Sequence, residues 1–167
     1  MKKFLIISNI NAACYKDVFP YIKRGEITVI GKSGMYMLIN GEIGKVNTSC
    51  WLTNLEKEPP KPLELTEHYS PEKYPKFDNY DAIEVSKVKN IPMDYFEPMG
   101  VPINFLFKHN PNQFEIIGVL NDFKETDVEA GLLSGEPTLT NGRIQLFRGG
   151  VIDGKRKYLR IIIRRRK

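Results

Sequence analysis

Short apolar runs recur along this chain of 167 residues, and most of them have the length of strands. Lys3 to Ser8 encloses an uninterrupted apolar run, which predicts a strand buried on both faces. From Ala12 to Arg24 the apolar positions recur at spacings of three and four, which indicates one face of a helix. Asn11 is expected to cap that helix, and Pro20 is expected to kink or split it.

Further strands and a hairpin complete the first 55 residues. Asn40-Gly41 predicts a type I′ turn, because both central residues of that turn need positive φ. The strands predicted around it are 26–30, 35–40, 42–46 and 50–55. The order strand, helix, strand, hairpin, strand is that of an α/β unit that turns antiparallel.

The stretch 74–120 is the centre of the second part of the chain. Prolines interrupt any helical periodicity there, while the aromatic and apolar content is too high for a disordered linker. We therefore expect an ordered, extended connection between strands at 82–86 and 114–120.

The chain ends in a predicted β-hairpin, which follows an exposed excursion at 121–142. The strands of this hairpin are 143–147 and 158–164, and Asp153-Gly154 supplies a turn. The whole chain has room for one domain with its own core. We divide it into an α/β unit at 1–55 and an extension with the terminal hairpin at 56–167.

Composition excludes several classes of protein. No apolar run reaches the roughly 20 residues of a membrane span, and the N-terminal apolar run is too short for a signal peptide. The expected location is the cytoplasm, where Cys14 and Cys50 stay reduced. His68 and His109 are expected to be solvent-facing loop residues, and without a cysteine cluster no metal site is predicted.

Positive charge is concentrated at the C-terminus. The net charge is +5, yet Lys155 to Lys167 contains eight basic residues and no acid, which leaves 17 Lys and Arg against 20 Asp and Glu elsewhere. The rest of the chain is therefore slightly acidic. This distribution favours a local contact with a polyanion, and a solvated terminal tail is the alternative interpretation.

Several separated blocks resemble one known family. In chain order they are KKFLIISNINAACYKDVFPYIK from Lys2, CWLTNLE from Cys50, DNYDAIEVSKVKNIPMDY from Asp78, MGVPINFLFKHNPNQFEIIG from Met99 and GKRKYLRIIIRRRK from Gly154. Together they are similar to the C-terminal half of the EcoRI-type adenine-specific DNA methyltransferases. The resemblance implies an α/β (α+β) fold. It would be the C-terminal part of a Rossmann-like methyltransferase sheet, with mixed parallel and antiparallel strands, few helices and the C-terminal β-hairpin.

The resemblance also implies a reaction. Members of this family methylate adenine N6 in double-stranded DNA within restriction–modification systems, with S-adenosylmethionine as the methyl donor. A glycine-rich turn holds the cofactor, and an Asn-Pro-Pro-Phe motif, upstream of the Lys-Lys-Phe-Leu-Ile-Ile strand, holds the flipped adenine. This chain begins at that strand, and Glu58-Pro-Pro-Lys61 and Asn110-Pro-Asn-Gln113 depart from the motif. We therefore expect no catalytic or cofactor-binding residue, no bound S-adenosylmethionine and no activity without an upstream half.

Basic side chains are the predicted contacts with DNA, since arginine and lysine neutralise phosphates. The predicted DNA-binding residues are Lys87, Lys89, Arg143, Arg148, Arg160, Arg164, Arg165 and Arg166. For Lys87 and Lys89 a solvated surface is the competing interpretation.

Four further residues are predicted to lie near the active site of the assembled enzyme. Asn9 and Asn11 follow the first strand at the end where open α/β sheets bind ligands. Trp51 and Asn54 match the family's Trp-Phe-Thr-Asn block. Turn formation and helix capping are the alternative for Asn9 and Asn11, and a core position is the alternative for Trp51.

Three functional hypotheses stay open. The first is a methyltransferase half that contacts DNA and associates with an N-terminal half or with itself through a free sheet edge. The second is a stand-alone, non-enzymatic nucleic-acid-binding module, which steep salt dependence of DNA binding would support. The third is a remnant without function. Neither a membrane nor a metal ion is an expected partner.

Overall fold

The computed structural model describes residues 2–31, 35–39, 42–46, 48–120, 138–140, 143–145 and 149–167. For 35–39, 42–46, 138–140, 143–145 and Arg156 it describes the backbone alone. None of the helices within these ranges has the length and apolar character needed to cross a membrane.

Strands dominate the described part of the chain. There is one α-helix, α1 (Phe19–Lys23), and there are three 3₁₀ helices, Ile10–Cys14, Val88–Asn90 and Ile103–Lys108. The strands are β1 (Leu5–Asn9), β2 (Thr28–Ile30), β3 (Met35–Ile39), β4 (Glu42–Val46), β5 (Ser49–Thr53), β6 (Lys76–Phe77), β7 (Tyr80–Glu84), β8 (Met99–Pro102), β9 (Phe114–Val119), β10 (Thr138–Thr140), β11 (Arg143–Gln145), β12 (Val151–Ile152), β13 (Lys155–Arg156) and β14 (Arg160–Arg165).

Two sheets organise these strands. β1, β5 and β2 form an antiparallel sheet in that order, and β6, β7, β8, β14 and β9 form a mixed sheet in that order, in which β7 and β8 run parallel. The pairs β3-β4, β10-β11 and β12-β13 each form a separate two-stranded sheet. The fold is therefore α+β with few helices and mixed strand directions, as the sequence and the resemblance predicted.

The predicted helix over 12–24 is split into two pieces, as Pro20 indicated. The 3₁₀ helix ends at Cys14, and α1 begins at Phe19 with Pro20 in its first turn, where a missing N–H breaks no helical hydrogen bond. The predicted cap was wrong. Asn9 is the cap, because its side-chain oxygen accepts a hydrogen bond of 2.9 Å from the backbone N–H of Asn11.

β1 is a strand, as predicted, but the prediction that it is buried on both faces is wrong. It pairs with β5 from Leu5 opposite Thr53 to Asn9 opposite Ser49, and no described strand pairs with its other edge. The side chains of Leu5, Ile6 and Ile7 are 49%, 50% and 58% exposed. The difference arises because β1 is an edge strand whose apolar side chains the described residues cover only in part.

The predicted C-terminal hairpin between 143–147 and 158–164 is also wrong. Asp153-Gly154 is a turn with positive φ at both residues, but it joins β12 to β13. β11 pairs with β10, and β14 lies between β8 and β9. A central strand buries both of its faces, and the isoleucines 161–163 are at most 1% exposed there.

Two other predictions concern loops. β3 and β4 pair as expected, while their predicted turn Asn40-Gly41 lies outside the described residues. The predicted excursion at 121–142 also lies outside them, apart from β10. The connection between the predicted strands 82–86 and 114–120 is ordered, and it contains β8 in addition.

One hydrophobic core joins the two sheets. Val29 and Leu52 of the small sheet belong to the same buried cluster as Ile83, Met99 and Ile161 of the large sheet. A second, smaller cluster covers the opposite face of the large sheet, where Phe77, Ala82, Leu120, Ile152 and Ile162 pack together. Alternation along β14 explains the division, because successive side chains of a strand point to opposite faces.

Candidate nucleic-acid interface

The pairing directions place the predicted cations at two ends of the large sheet. β7 and β8 are parallel, and β14 is antiparallel to both β8 and β9. β7, β8 and β9 therefore finish at the end where β14 begins, which we call the Lys87 end because Lys87 follows β7 there. β14 finishes at the opposite end, which we call the Arg165 end.

At the Arg165 end each predicted arginine has a contact within the protein. Arg164 lies 3.5 Å from the carboxylate of Glu115, and the guanidinium of Arg165 lies 4.9 Å from the ring centroid of Phe96. The Arg166 Nε donates to the carbonyl of Pro111 at 2.7 Å. These contacts hold the end of the chain against the loop before β9.

The side chain of Arg160 is largely enclosed by the fold. Its side chain is 11% exposed, and its Nε and Nη2 both donate to the carboxylate of Glu84, with a shortest distance of 2.6 Å. The Nη1 donates to the carbonyls of Tyr158 and Leu159 at 3.2 Å. All three nitrogens are thus engaged by the protein, and we leave Arg160 out of the proposed DNA surface.

Lys87 and Lys89 are exposed residues at the Lys87 end. Lys87 precedes the 3₁₀ helix Val88–Asn90, whose Val88 and the following Ile91 are buried. The backbone that carries both lysines is therefore fixed while their amines face solvent. Of the remaining predicted cations, Arg143 belongs to β11 with only its backbone described, and Arg148 lies outside the described residues.

Asn9 and Asn11 lie together after β1, where the sequence placed them. The Asn9 amide donates to the Thr48 hydroxyl at 3.2 Å while its oxygen caps the 3₁₀ helix, and Ile10 N–H donates to the Thr48 carbonyl at 2.7 Å. Asn9 therefore has the capping role in this structure, and the Asn11 side chain is exposed. Their proximity to an active site stays a prediction.

Trp51 and Asn54 lie on and just after β5. Trp51 is half-buried and sits between Ile7 of β1 and Ile30 of β2 in the strand register. Asn54 fixes the start of the chain, since its oxygen accepts from Phe4 N–H and its amide donates to the carbonyl of Lys2, both at 2.8 Å. These contacts explain the residues as parts of the small sheet, and their active-site proximity stays a prediction.

Sequence reasoning missed the role of the amides in Asn110-Pro-Asn-Gln113. The Gln113 side chain accepts from Leu63 N–H at 2.7 Å and donates to the Leu63 carbonyl at 2.8 Å. The buried Asn110 donates to the carbonyl of Pro60 at 2.7 Å. These bonds attach the proline-rich segment 59–63 to the loop that precedes β9 in the large sheet. Three amides beside a proline, immediately before a strand, were the available signal.

The prediction of a solvent-facing loop holds for His68 and is wrong for His109. His68 is exposed, and its Nδ1 lies 2.9 Å from the Asp94 carboxylate. His109 is half-buried, and its Nε2 donates to the Phe114 carbonyl at 3.0 Å. Burial lowers the pKa of His109, because the charged imidazolium would lose hydration. It lines a cleft of about 220 Å³ between β2 of the small sheet and the segment 106–111.

No group of three histidine, cysteine or acidic side chains is placed to hold a metal ion within the described residues. Both cysteines are buried, and burial raises the pKa of the Cys50 thiol. These thiols therefore have the character of core residues.

Comparison with known proteins decides the family. The model of the family described as adenine-specific methyltransferase EcoRI matches residues 33–166. This chain belongs to the EcoRI-type adenine-specific methyltransferase family. The resemblance drawn from the separated sequence blocks is therefore confirmed.

Its relatives are Type II methyltransferases. The chain is 38% identical to M.EcoRI of Escherichia coli, in an alignment that covers 99% of this chain and 51% of that protein. It is 35% identical to M.MpnI of Mycoplasma pneumoniae and 34% identical to M.MgeORF184P of Mycoplasma genitalium, and it covers 57% of each. The chain thus spans about half the length of the curated relatives that it matches. No solved structure is significantly similar to it.

Proposed function

We propose that this chain is the DNA-contacting half of an adenine-N6 DNA methyltransferase of the restriction–modification type. In this proposal a complementary half supplies the cofactor site and the catalytic motif. The support is the family membership together with the coverage, since the alignments include nearly all of this chain but only 51–57% of its relatives.

The exposed strand β1 is the observation that carries the proposal. Its three apolar side chains are about half exposed, and the backbone groups on its outer edge have no described strand partner. Single apolar residues on a surface are ordinary, but three in succession on an unpaired edge form a template for another strand. A strand of the complementary half, added there, would pair the edge, and further elements of that half packed on the sheet would cover the side chains.

The turn after β1 argues for placing the cofactor in the other half. S-adenosylmethionine is the methyl donor that the family implies, and the turn that approaches such a ligand needs glycine. Here the chain passes from β1 into the 3₁₀ helix Ile10–Cys14, which contains no glycine, and the Asn9 side chain caps that helix. This turn does not fit the cofactor, and on that ground we assign the cofactor site to the complementary half.

Reconstitution tests this proposal. The chain is purified and mixed with the part of M.EcoRI that lies outside the alignment, and labelled methyl transfer from S-adenosylmethionine to duplex DNA is measured. We expect transfer by the mixture and none by this chain alone, together with a one-to-one complex in light scattering.

An Ile6→Asp variant serves as the matched control, because a charge on β1 would be desolvated at the proposed interface but hydrated in the isolated chain. It should fold normally and lose both the complex and the transfer. Methylation by the chain alone would contradict the proposal. A homodimer that Ile6→Asp dissociates would instead favour self-association through the same edge.

A further inference from the structure

Two lysines at the Lys87 end are available to an external partner. Lys87 follows β7, and Lys157 precedes β14, so β8 lies between them at the same end of the sheet. Both side chains are exposed, and neither makes a hydrogen bond or an ion pair with another described residue. This differs from the Arg165 end, where Glu115, Phe96 and the Pro111 carbonyl engage the arginines.

An exposed aromatic residue, Tyr158, directly follows Lys157 in the chain. Tyr158 is 89% exposed, while Tyr15, the next most exposed large apolar side chain among those that the structure describes, is 61% exposed. An aromatic ring normally buries much of its surface, and one that remains in solvent next to cations is the arrangement that nucleic-acid-binding surfaces use.

The backbone beneath this ring is fixed. The Tyr158 carbonyl accepts from Arg160, which the buried Glu84 holds in place. The Lys157 N–H donates to the Gly150 carbonyl at 2.7 Å. A ring on a fixed backbone loses little conformational entropy when it binds, which favours a contact role over a mobile surface side chain.

We propose that the Lys87 end, with Lys87, Lys157 and Tyr158, is the surface by which this chain contacts DNA. The ring of Tyr158 packs against the sugar or base of one nucleotide, and the two lysines neutralise phosphates on either side. Tyr158 and Lys157 are therefore binding residues, whereas Arg160 positions Tyr158 through its carbonyl. This inference rests on the proposed function, because membership of the DNA methyltransferase family is the reason for choosing DNA as the polyanion.

Titration of duplex DNA across a salt series, followed by fluorescence anisotropy, separates the two kinds of contact. Lys87→Ala combined with Lys157→Ala should lower the slope of log K against log salt by about 1.8, because each lost phosphate contact removes about 0.9. Tyr158→Ala should weaken binding about 5-fold or more with the slope unchanged, because ring packing releases no counterions. Tyr158→Phe should retain most of the affinity, since it keeps the ring.

Lys16→Ala combined with Lys23→Ala is the matched control for charge. Both lysines are exposed and lie before and within α1, in the unit of the small sheet, so the net charge falls equally while the Lys87 end stays intact. An equal loss of slope in this control would overturn the inference and indicate a non-specific charge effect. Wild-type affinity in Tyr158→Ala would also overturn it.

A wild-type chain that binds no DNA, alone or with the complementary half, would overturn the proposed DNA contact itself. Binding by the wild type that only the control variant weakens would leave the proposed function standing and remove this surface. The two failures are therefore distinguishable in one set of titrations.

Discussion

β1 and β14 carry similar apolar runs and have opposite surroundings. Leu5, Ile6 and Ile7 are about half exposed, whereas Ile162 and Ile163 are at most 1% exposed. β14 has β8 on one edge and β9 on the other, while β1 has β5 on one edge and no described strand on the other. The difference lies in the neighbours and is absent from the two strand sequences.

This difference teaches what an apolar run encodes. A continuous run specifies a strand with neighbours on both edges and cover on both faces. β14 receives these from the chain itself, because it lies between β8 and β9. β1 has the same specification without the neighbours, and this is the reason for seeking its partner outside the described residues.

The largest expected effect comes from breaking the ion pair between Glu84 and Arg160 in the large sheet. Glu84→Ala leaves Arg160 in a buried position without a carboxylate, and loss of one partner of such a pair costs about 3–5 kcal/mol. Denaturant unfolding of the isolated chain should therefore show a large fall in the free energy of unfolding.

Glu26→Ala is the control in the small-sheet unit, because it breaks the exposed ion pair with Arg24. We expect its denaturation midpoint to stay at the wild-type value, since exposed pairs contribute little. Equal destabilisation by the two variants would contradict the burial of the Glu84–Arg160 pair.

A matched pair of isoleucine variants compares the two strands directly. Ile163→Ala removes buried methyl groups from the core and should cost about 2–5 kcal/mol. Ile6→Ala changes an exposed edge and should stay within about 0.5 kcal/mol in the isolated chain. Urea unfolding of both variants gives the comparison.

Adding the complementary half should then change the result for one strand. Ile6→Ala should weaken the complex, because the side chain would be buried there, while Ile163→Ala should affect the fold more than the interface. A large cost of Ile6→Ala in the isolated chain would show that β1 is already covered.

Local sequence patterns predicted most helices and strands, but they did not predict which strands pair when those strands lie far apart in the sequence. β7 and β9 were predicted nearly at their observed bounds, and Pro20 correctly divided the first helix. The position of β14 was missed because a turn at Asp153-Gly154 suggests a hairpin between its neighbours. No local sequence pattern indicates that β14 inserts between β8 and β9.

The site shows the same limit. Counting charges identified the basic C-terminus but could not show that Glu84 binds Arg160 or that Phe96 lies under Arg165. Tyr158 was predicted to be the first residue of the terminal strand 158–164. It lies two residues before β14 and is the most exposed of the large apolar side chains, and so a role in binding could be inferred only from the structure.

His109 lies where the two compared regions meet. The cleft that it lines also contains Ile22 and Val29 from the first unit and Phe107 from the second. Its pKa is lowered from the ordinary value of 6.5 chiefly by burial, with a smaller contribution from the nearby Arg166, while the hydrogen bond to the Phe114 carbonyl opposes the shift. Folding therefore favours the neutral form of the His109 ring.

The smallest expected effect is a pH dependence of stability that comes from this residue. Above pH 6.5 the ring is largely neutral in both states. As the pH falls through 6.5 the unfolded chain takes up the proton first, so the free energy of unfolding decreases until the lower folded pKa is passed.

His109→Gln keeps a donor for the Phe114 carbonyl but cannot titrate. The difference in unfolding free energy between wild type and His109→Gln should therefore shrink or change sign between pH 7.5 and 5.5, whereas His68→Gln should retain the His109-dependent decrease. If the difference in unfolding free energy stayed constant across this range, the ring would be hydrated in the folded protein and the cleft that His109 lines would be open to water.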